Sequence, residues 1–354
     1  MPLSSDSSPV SGFTPDPSRP LQLLAACPAY SETPLRQLEN LGPWTLLAKD
    51  ESARMGLGSF KALGGVYAVA AMIAAAWSEA GHGELDAEDY LDESLRNFAG
   101  TMTFVCASAG NHGMAIAAGA QIFGARARVH LAASVPEYFA RQLRERGADV
   151  VRSGDNYEDS VVAALADADD SDAILLSDSS WPGYRRAPSL IMEGYSVIAE
   201  ELRRRFELER RWPSHVFLQA GVGGLAAAIA HMIRWNWPAQ PEIIIVEPEA
   251  APCLLQSQLA GKPVTVAGPE SVMARLDCKQ PSIIAVEVLS RVADRFVTIS
   301  DAEAEDAVAI ASSAGIDSTP SGVAGLAALL NAEELGLELD GTAYPLVIIT
   351  EAAA

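Results

Sequence analysis

Beyond a polar opening, the chain alternates between two kinds of apolar pattern. Short β-branched and aliphatic runs recur at WTLLAKDE (44–51), TFVCAS (103–108), RVHLAA (128–133), DVVRSG (149–154), AILLSD (173–178), HVFLQAG (215–221), EIIIVEPE (242–249) and PLVIITE (345–351). Most lack the strict alternation of a half-solvated strand, and they predict strands covered on both faces, as in a parallel sheet. Between them lie longer alanine-rich stretches with helical spacing, at 60–79, 112–123, 136–146, 187–206, 223–235, 301–313 and 321–335. Strands alternating with helices predict an open, mostly parallel α/β architecture. The segment AIAAGAQIFGARARVHLAASVPEYFARQLRERGADVV (115–151) reads as a helix-strand-helix-strand unit of a second, smaller domain.

Residues 1–20 are rich in Ser, Pro and Asp and hold too few apolar groups to offset the entropy of ordering, which predicts a loose arm. They lack the basic and apolar regions of a secretory signal, and no uninterrupted apolar run approaches the length of a membrane span, so a cytoplasmic protein without a membrane partner is expected. Four scattered cysteines, with no CxxC pair and no histidine at ligand spacing, predict no metal site. A formal charge of −21 argues against nucleic acid as a partner. A small anion remains compatible with it, because a glycine turn at a helix N-terminus binds phosphate locally.

Three glycine-containing turns each follow a predicted strand and precede a predicted helix: SAGNHG (108–113), QAGVGG (219–224) and STPSGVAG (318–325). Ligand sites of open α/β sheets lie where such turns converge. Gly221, Val222, Gly223 and Gly224 offer a phosphate cradle, with tight strand-helix packing as the alternative. SAGNHG places Asn111 and His112 at the mouth of a helix, with ordinary N-capping by Ser108 or Asn111 as the alternative. Lys61, one of four lysines, stands between Phe60 and Ala62 at the start of a helix. A cation is mildly disfavoured there by the helix dipole, and partial burial is expected to lower its pKa and free its amine as nucleophile or base. The alternative is a solvated first-turn lysine. A nicotinamide enzyme is a rival reading, because QAGVGGLA approaches the dinucleotide fingerprint with Ala226 at its last glycine.

Together these turns and Lys61 resemble pyridoxal-phosphate enzymes of the tryptophan-synthase-β type, fold type II. Within that group the chain looks most like the diaminopropionate ammonia-lyases, through YSETPLRQL (30–38), KDESARMGLGSFKALGG (49–65), DSSWPGYRRAPSLIMEGYSVIAEE (178–201) and VMARLDCKQPSIIAVEVL (272–289). The resemblance implies two open, twisted, mostly parallel sheets flanked by helices. It implies a large cofactor-binding domain from 21–96 plus 186–354, a small domain over 97–185, a site in the cleft between them, and a homodimer. By the same resemblance Lys61 holds pyridoxal 5′-phosphate covalently. Asn111 meets its ring hydroxyl, and Phe60, Gly221, Val222, Gly223, Gly224 and Leu225 complete the cofactor site. Ser108, Ala109, Gly110 and His112 line the substrate, and Asp178 matches an active-site aspartate; a turn acid ending a strand is its alternative.

The chain departs from the family pattern twice. Ala109 stands where the family keeps the aspartate that serves D-substrates. The tail reads IITEAAA, with Thr350 matching the hydroxyl that faces the pyridine nitrogen. The implied activity is β-elimination from a small L-amino acid such as 2,3-diaminopropionate, serine or threonine, giving a 2-oxo acid and ammonia. The alternatives are β-replacement at the same residues and a catalytically degenerate homologue.

Overall fold

The computed structural model describes residues 13–108 and 110–353; Ala109 and most of the opening arm lie outside the described residues. The strands are β1 (Leu35–Leu38), β2 (Leu46–Asp50), β3 (Thr103–Ala107), β4 (Arg126–Leu131), β5 (Asp149–Arg152), β6 (Ile174–Leu175), β7 (His215–Gln219), β8 (Glu242–Pro248), β9 (Arg295–Ile299) and β10 (Pro345–Ile349). The helices are α1 (Ser18–Ala25), α2 (Lys61–Glu79), α3 (Glu93–Ala99), α4 (Asn111–Phe123), α5 (Glu137–Glu145), α6 (Tyr157–Asp170), α7 (Arg186–Glu209), α8 (Gly224–Asn236), α9 (Cys253–Ala260), α10 (Ile283–Val292), α11 (Asp301–Ser313) and α12 (Ala324–Leu330). One sheet has the order β1-β2-β10-β7-β8-β9, antiparallel only at β1-β2, and the other has the parallel order β5-β4-β3-β6. This is the expected fold class.

The central strands are those with unbroken apolar runs. Every residue of β10 and six of the seven in β8 are buried, because helices cover both faces of the large sheet. Strand β9 is half-buried along most of its length, and its weaker pattern, RFVTI, escaped the sequence reading. The run AILLSD forms only two strand residues. After Leu175 the chain turns away, with the Ser177 N–H donating to the Tyr184 hydroxyl at 2.9 Å, and Asp178 is thereby placed in a loop.

Helix α2 packs against both α4 and α7 and joins the two sheets. Its glycine pair makes this possible: a Cβ on Gly65 would sit 2.6 Å from the Ala115 Cβ, and one on Gly64 would sit 2.4 Å from the Tyr195 ring. Helix α2 is long and apolar enough to cross a membrane, yet ten of its residues are buried inside this fold. The sequence reading found no such run, because Lys61 and the glycines interrupt it.

The described part of the arm is packed, unlike the loose arm expected through residue 20. Phe13 is 1% exposed and meets the His231 ring edge-on at 5.5 Å, and the Asp16 N–H donates to Glu193 at 3.1 Å. One aromatic anchor and a two-turn helix recover more than local composition suggested.

Below the loop leading to Lys61 lies a buried ionic network. Arg54, fully enclosed, donates to both Glu51 oxygens at 2.7 Å and to both Glu201 oxygens at 2.8 Å, while Lys49 reaches Glu201 at 2.6 Å. Thr33 and Tyr30 complete it by donating to Glu51 and Glu201.

Candidate active site

Lys61 opens α2, and its turn is tied to the C-terminal end of β10. The Phe60 N–H donates to Thr350 O at 3.1 Å, Ser59 bridges Glu351, and the Ala352 N–H donates to Gly58 O at 2.9 Å. The amine is mostly buried and forms a short ion pair with Asp178, which projects from the loop after β6. It also lies 5.2 Å from the Phe60 ring centre and 5.8 Å from that of Tyr195.

Burial lowers the pKa of the Lys61 amine, but the Asp178 carboxylate outweighs burial and holds the amine above its usual value. Reciprocally, burial raises Asp178, and Lys61 followed by His112 draws it well below the usual carboxylate range. The lowered amine expected from sequence is therefore corrected: burial acts as anticipated, but a counter-ion 117 positions away reverses the net effect.

Tyr195 stands over this pair. It is 1% exposed, its ring meets Phe60 edge-on at 4.9 Å, and its hydroxyl is buried without a hydrogen-bond partner among the described residues. Burial pushes the phenol up, so it stays protonated. On the SAGNHG turn, His112 donates from Nε2 to Leu176 O at 2.8 Å, leaving Nδ1 as a buried acceptor without a partner. Burial pushes this imidazole down, towards the neutral form. The Gly110 N–H closes back on the Ser108 hydroxyl at 3.2 Å, and the Asn111 amide donates to Glu351.

The QAGVGG turn opens α8. The N–H groups of Gly221, Gly223, Gly224 and Leu225 take no backbone partner among the described residues, and that of Val222 is turned to Cys278 Sγ. Gly223 is left-handed at φ +97°, and a Cβ on Gly221 would lie 2.9 Å from Cys278 Sγ and 3.1 Å from Arg275 O. Glycine is thus required both for the turn and for the close approach of segment 273–278. Backbone donors gathered at the positive end of a helix form an anion cradle. Asp178 O lies 3.9 Å from where a Gly224 Cβ would be, so the cradle and the Lys61 pair share one cleft.

Thr350 faces Gln219, whose amide lies 3.5 Å from its hydroxyl. The adjacent Glu351 instead reaches Asn111, Arg275 and Thr319. Sequence reasoning missed Tyr195, Arg275, Thr319 and Glu351, and also Ser180 and Ser282, whose hydroxyls meet at 2.7 Å and clamp the Asp178 loop to the start of α10. Their only sequence signal was membership in the quoted family-like segments, the STPSGVAG turn and the tail.

A fold with a lysine amine, an anion cradle and a glycine-asparagine turn at one cleft defines a class of protein, and comparison with known proteins agrees. Residues 26–351 match the family described as pyridoxal-phosphate dependent enzyme, and the chain belongs to that family. It is 33% identical over 282 residues to diaminopropionate ammonia-lyase of Escherichia coli (strain K12), covering 78% of this chain and 69% of that one. It is 32% identical over 347 residues to the Salmonella typhimurium (strain LT2) ammonia-lyase, covering 92% and 86%. The crystal structure of the E. coli enzyme in complex with an aminoacrylate–PLP azomethine reaction intermediate superimposes with a TM-score of 0.83 at 29% identity, covering 96% of this chain and 91% of that one. The chain is a fold type II pyridoxal-phosphate-dependent lyase, homologous to diaminopropionate ammonia-lyase, and its chemistry is β-elimination. The residues present suit the cofactor: an amine to anchor it, backbone N–H groups for its phosphate, and the Asn111 amide for its ring oxygen.

Proposed function

We propose that this lyase eliminates the β-substituent of a small L-amino acid, of the kind represented by 2,3-diaminopropionate, serine and threonine, releasing a 2-oxo acid and ammonia. The observation that carries this reading is the contact of the Lys61 amine with Asp178 beside the N–H groups of Gly221 and Gly223–Leu225, which take no backbone partner among the described residues. When bound, pyridoxal phosphate supplies an electron sink for the charge left at Cα. Lys61 Nζ takes the Cα proton. Asp178, within hydrogen-bond reach of that nitrogen, returns a proton to the leaving group, so the proton crosses one short contact without passing through solvent. The Gly221–Leu225 N–H groups hold the phosphate, Asn111 orients the ring, and Phe60 packs beside the amine. Ser108, Gly110 and His112 border the substrate, Ala109 supplies no base towards a D-substrate, and Thr350 offers a neutral hydroxyl to the ring nitrogen. The small domain at 97–185 and the homodimer that the resemblance implies, and the cytoplasmic setting expected from the sequence, belong to the same reading, and sedimentation and fractionation test the last two.

Both enantiomers of 2,3-diaminopropionate, serine and threonine should be assayed for oxo-acid release. Turnover of L-forms alone is expected, and equal turnover of a D-form overturns the assignment of Lys61 as sole base.

Asp178 also makes cofactor uptake depend on pH. The Lys61 amine must lose its proton to attack an aldehyde, and its pKa is raised, so the neutral fraction and the uptake rate should climb about tenfold per unit between pH 7 and 9. In Asp178→Asn the profile should shift to lower pH. Stopped-flow absorbance after mixing apoprotein with pyridoxal phosphate measures both, and an unchanged profile in the variant contradicts the pairing.

Tyr195→Phe separates the apo from the loaded protein. Removing a buried hydroxyl that lacks a partner should stabilise the apoprotein by about 1 kcal/mol. If that hydroxyl donates to the phosphate or to the freed Lys61 amine, cofactor affinity should fall about tenfold in the same variant. Thermal melts with and without cofactor read both signs.

A further inference from the structure

Arg275 is a strongly basic side chain beside this cleft that the mechanism leaves unused. Its segment lies across the cradle, with Arg275 O 3.1 Å from where a Gly221 Cβ would be, and its N–H donates to the Ser321 hydroxyl at 3.2 Å. Nε pairs with Glu351 Oε2 at 2.9 Å, and Glu351, only 5% exposed, is itself held by Asn111 and Thr319. One edge of the guanidinium is therefore fixed by a buried, multiply bonded carboxylate. The two terminal nitrogens take no partner among the described residues, and the side chain is 35% exposed. Such a half-anchored planar fork is pre-oriented for a carboxylate.

Its location adds to this. Arg275 Nε lies 3.9 Å from where a Cβ on Gly110 would stand, at the N-terminus of the 13-residue α4, so the helix dipole and the guanidinium favour negative charge at the same spot. The nearby acids are already engaged, Asp178 by Lys61 and Glu351 by three donors. Burial raises the Glu351 carboxyl, while Arg275, Thr319 and Asn111 pull against it. A cationic β-ammonium group would meet an arginine here, with no free acid beside it.

We propose that Arg275 is a specificity-determining residue that receives a second carboxylate, carried on Cβ of the substrate, so that the preferred substrates are acidic L-amino acids with a β-leaving group. This narrows the β-elimination reading and rests on it. 3-Hydroxyaspartate has the required pattern: loss of the Cα proton and of the β-hydroxyl with its bonding pair, then addition of water and release of ammonia, leaves a 2-oxo dicarboxylate.

The test uses holoenzyme and two amino acids that lack a leaving group. Absorbance of the bound cofactor is titrated with L-aspartate and with L-alanine. Half-saturation by L-aspartate at a concentration at least about tenfold lower is expected. Arg275→Met, which keeps the apolar stem, should erase that preference while leaving L-alanine unchanged, and Arg275→Lys should restore part of it. In parallel, kcat/KM for L-3-hydroxyaspartate should exceed that for L-serine by a similar factor and lose it through KM in Arg275→Met. Equal half-saturation by the two ligands, or a preference that survives in Arg275→Met, overturns the proposal. A chromophore that responds to no amino acid, L-serine included, overturns the underlying reading of the site and the proposal with it.

Discussion

Lys61→Ala is expected to abolish oxo-acid release, by about 10⁴-fold or more, the upper end of what a positioned general base contributes, because the same nitrogen also anchors the cofactor. The loss has a second component. Asp178 owes its low pKa to Lys61, so in the variant a buried carboxyl is left with mainly desolvation acting on it, and it moves up towards the neutral form. The base and the charged state of the acid disappear together, and adding Asp178→Asn should cost little more, the non-additivity of residues that act as a unit. Borohydride reduction in the presence of pyridoxal phosphate, followed by peptide mapping, should label Lys61 in the parent and no residue in the variant. A label elsewhere, or retained turnover, contradicts the assignment.

Arg54→Met should produce the largest loss of stability. The substitution leaves Glu51, fully buried, without its cation and Glu201 with Lys49 alone. Stranding a buried charge costs about 3–5 kcal/mol, even where a wholly apolar replacement of the network would be neutral. For a chain of this size that corresponds to a fall in melting temperature of roughly 5 °C. The sign of the pH dependence follows from Glu201. Burial acts to raise its carboxyl, but Arg54 and Lys49 outweigh burial and hold it below the usual range. Its contribution is therefore present above the unfolded value of about 4.3 and is lost as pH falls through the lower folded value. Denaturant midpoints at pH 7 and pH 4 measure the effect, and it should shrink in acid. Because Arg54 closes the loop that runs on to Ser59 and Lys61, cofactor retention should weaken in parallel.

Much of the architecture could be read directly from the chain. Strands β7, β8 and β10 carry apolar runs whose burial on both faces leaves no other placement, and α11 opens on a Ser300–Glu303 capping box that marks its start. Strands β1 and β9 and helices α1, α3, α6, α9 and α10 were missed, β9 because its half-buried positions carry little periodic signal. Of the candidate site, Lys61, Asn111 and the Gly221–Gly224 turn stand out in the sequence because each combines an unusual residue with a turn that precedes a helix. Tyr195, Arg275 and Glu351 sit in ordinary helix, loop and tail contexts, and nothing local distinguishes them from packing residues.

The sequence by itself determined which elements form, since apolar period, turn chemistry and helix caps act over a few residues, and it singled out the lysine around which they gather. Only the tertiary structure decided the charge state of that lysine, because Asp178 arrives from another sheet to outweigh burial. It likewise decided that Glu351 turns towards Asn111 while Thr350 turns towards Gln219, and that Arg275 lies beside Gly110 with its terminal nitrogens unpartnered among the described residues. These are couplings across long sequence separations, where electrostatic energy depends on distances of a few ångströms that no local pattern encodes.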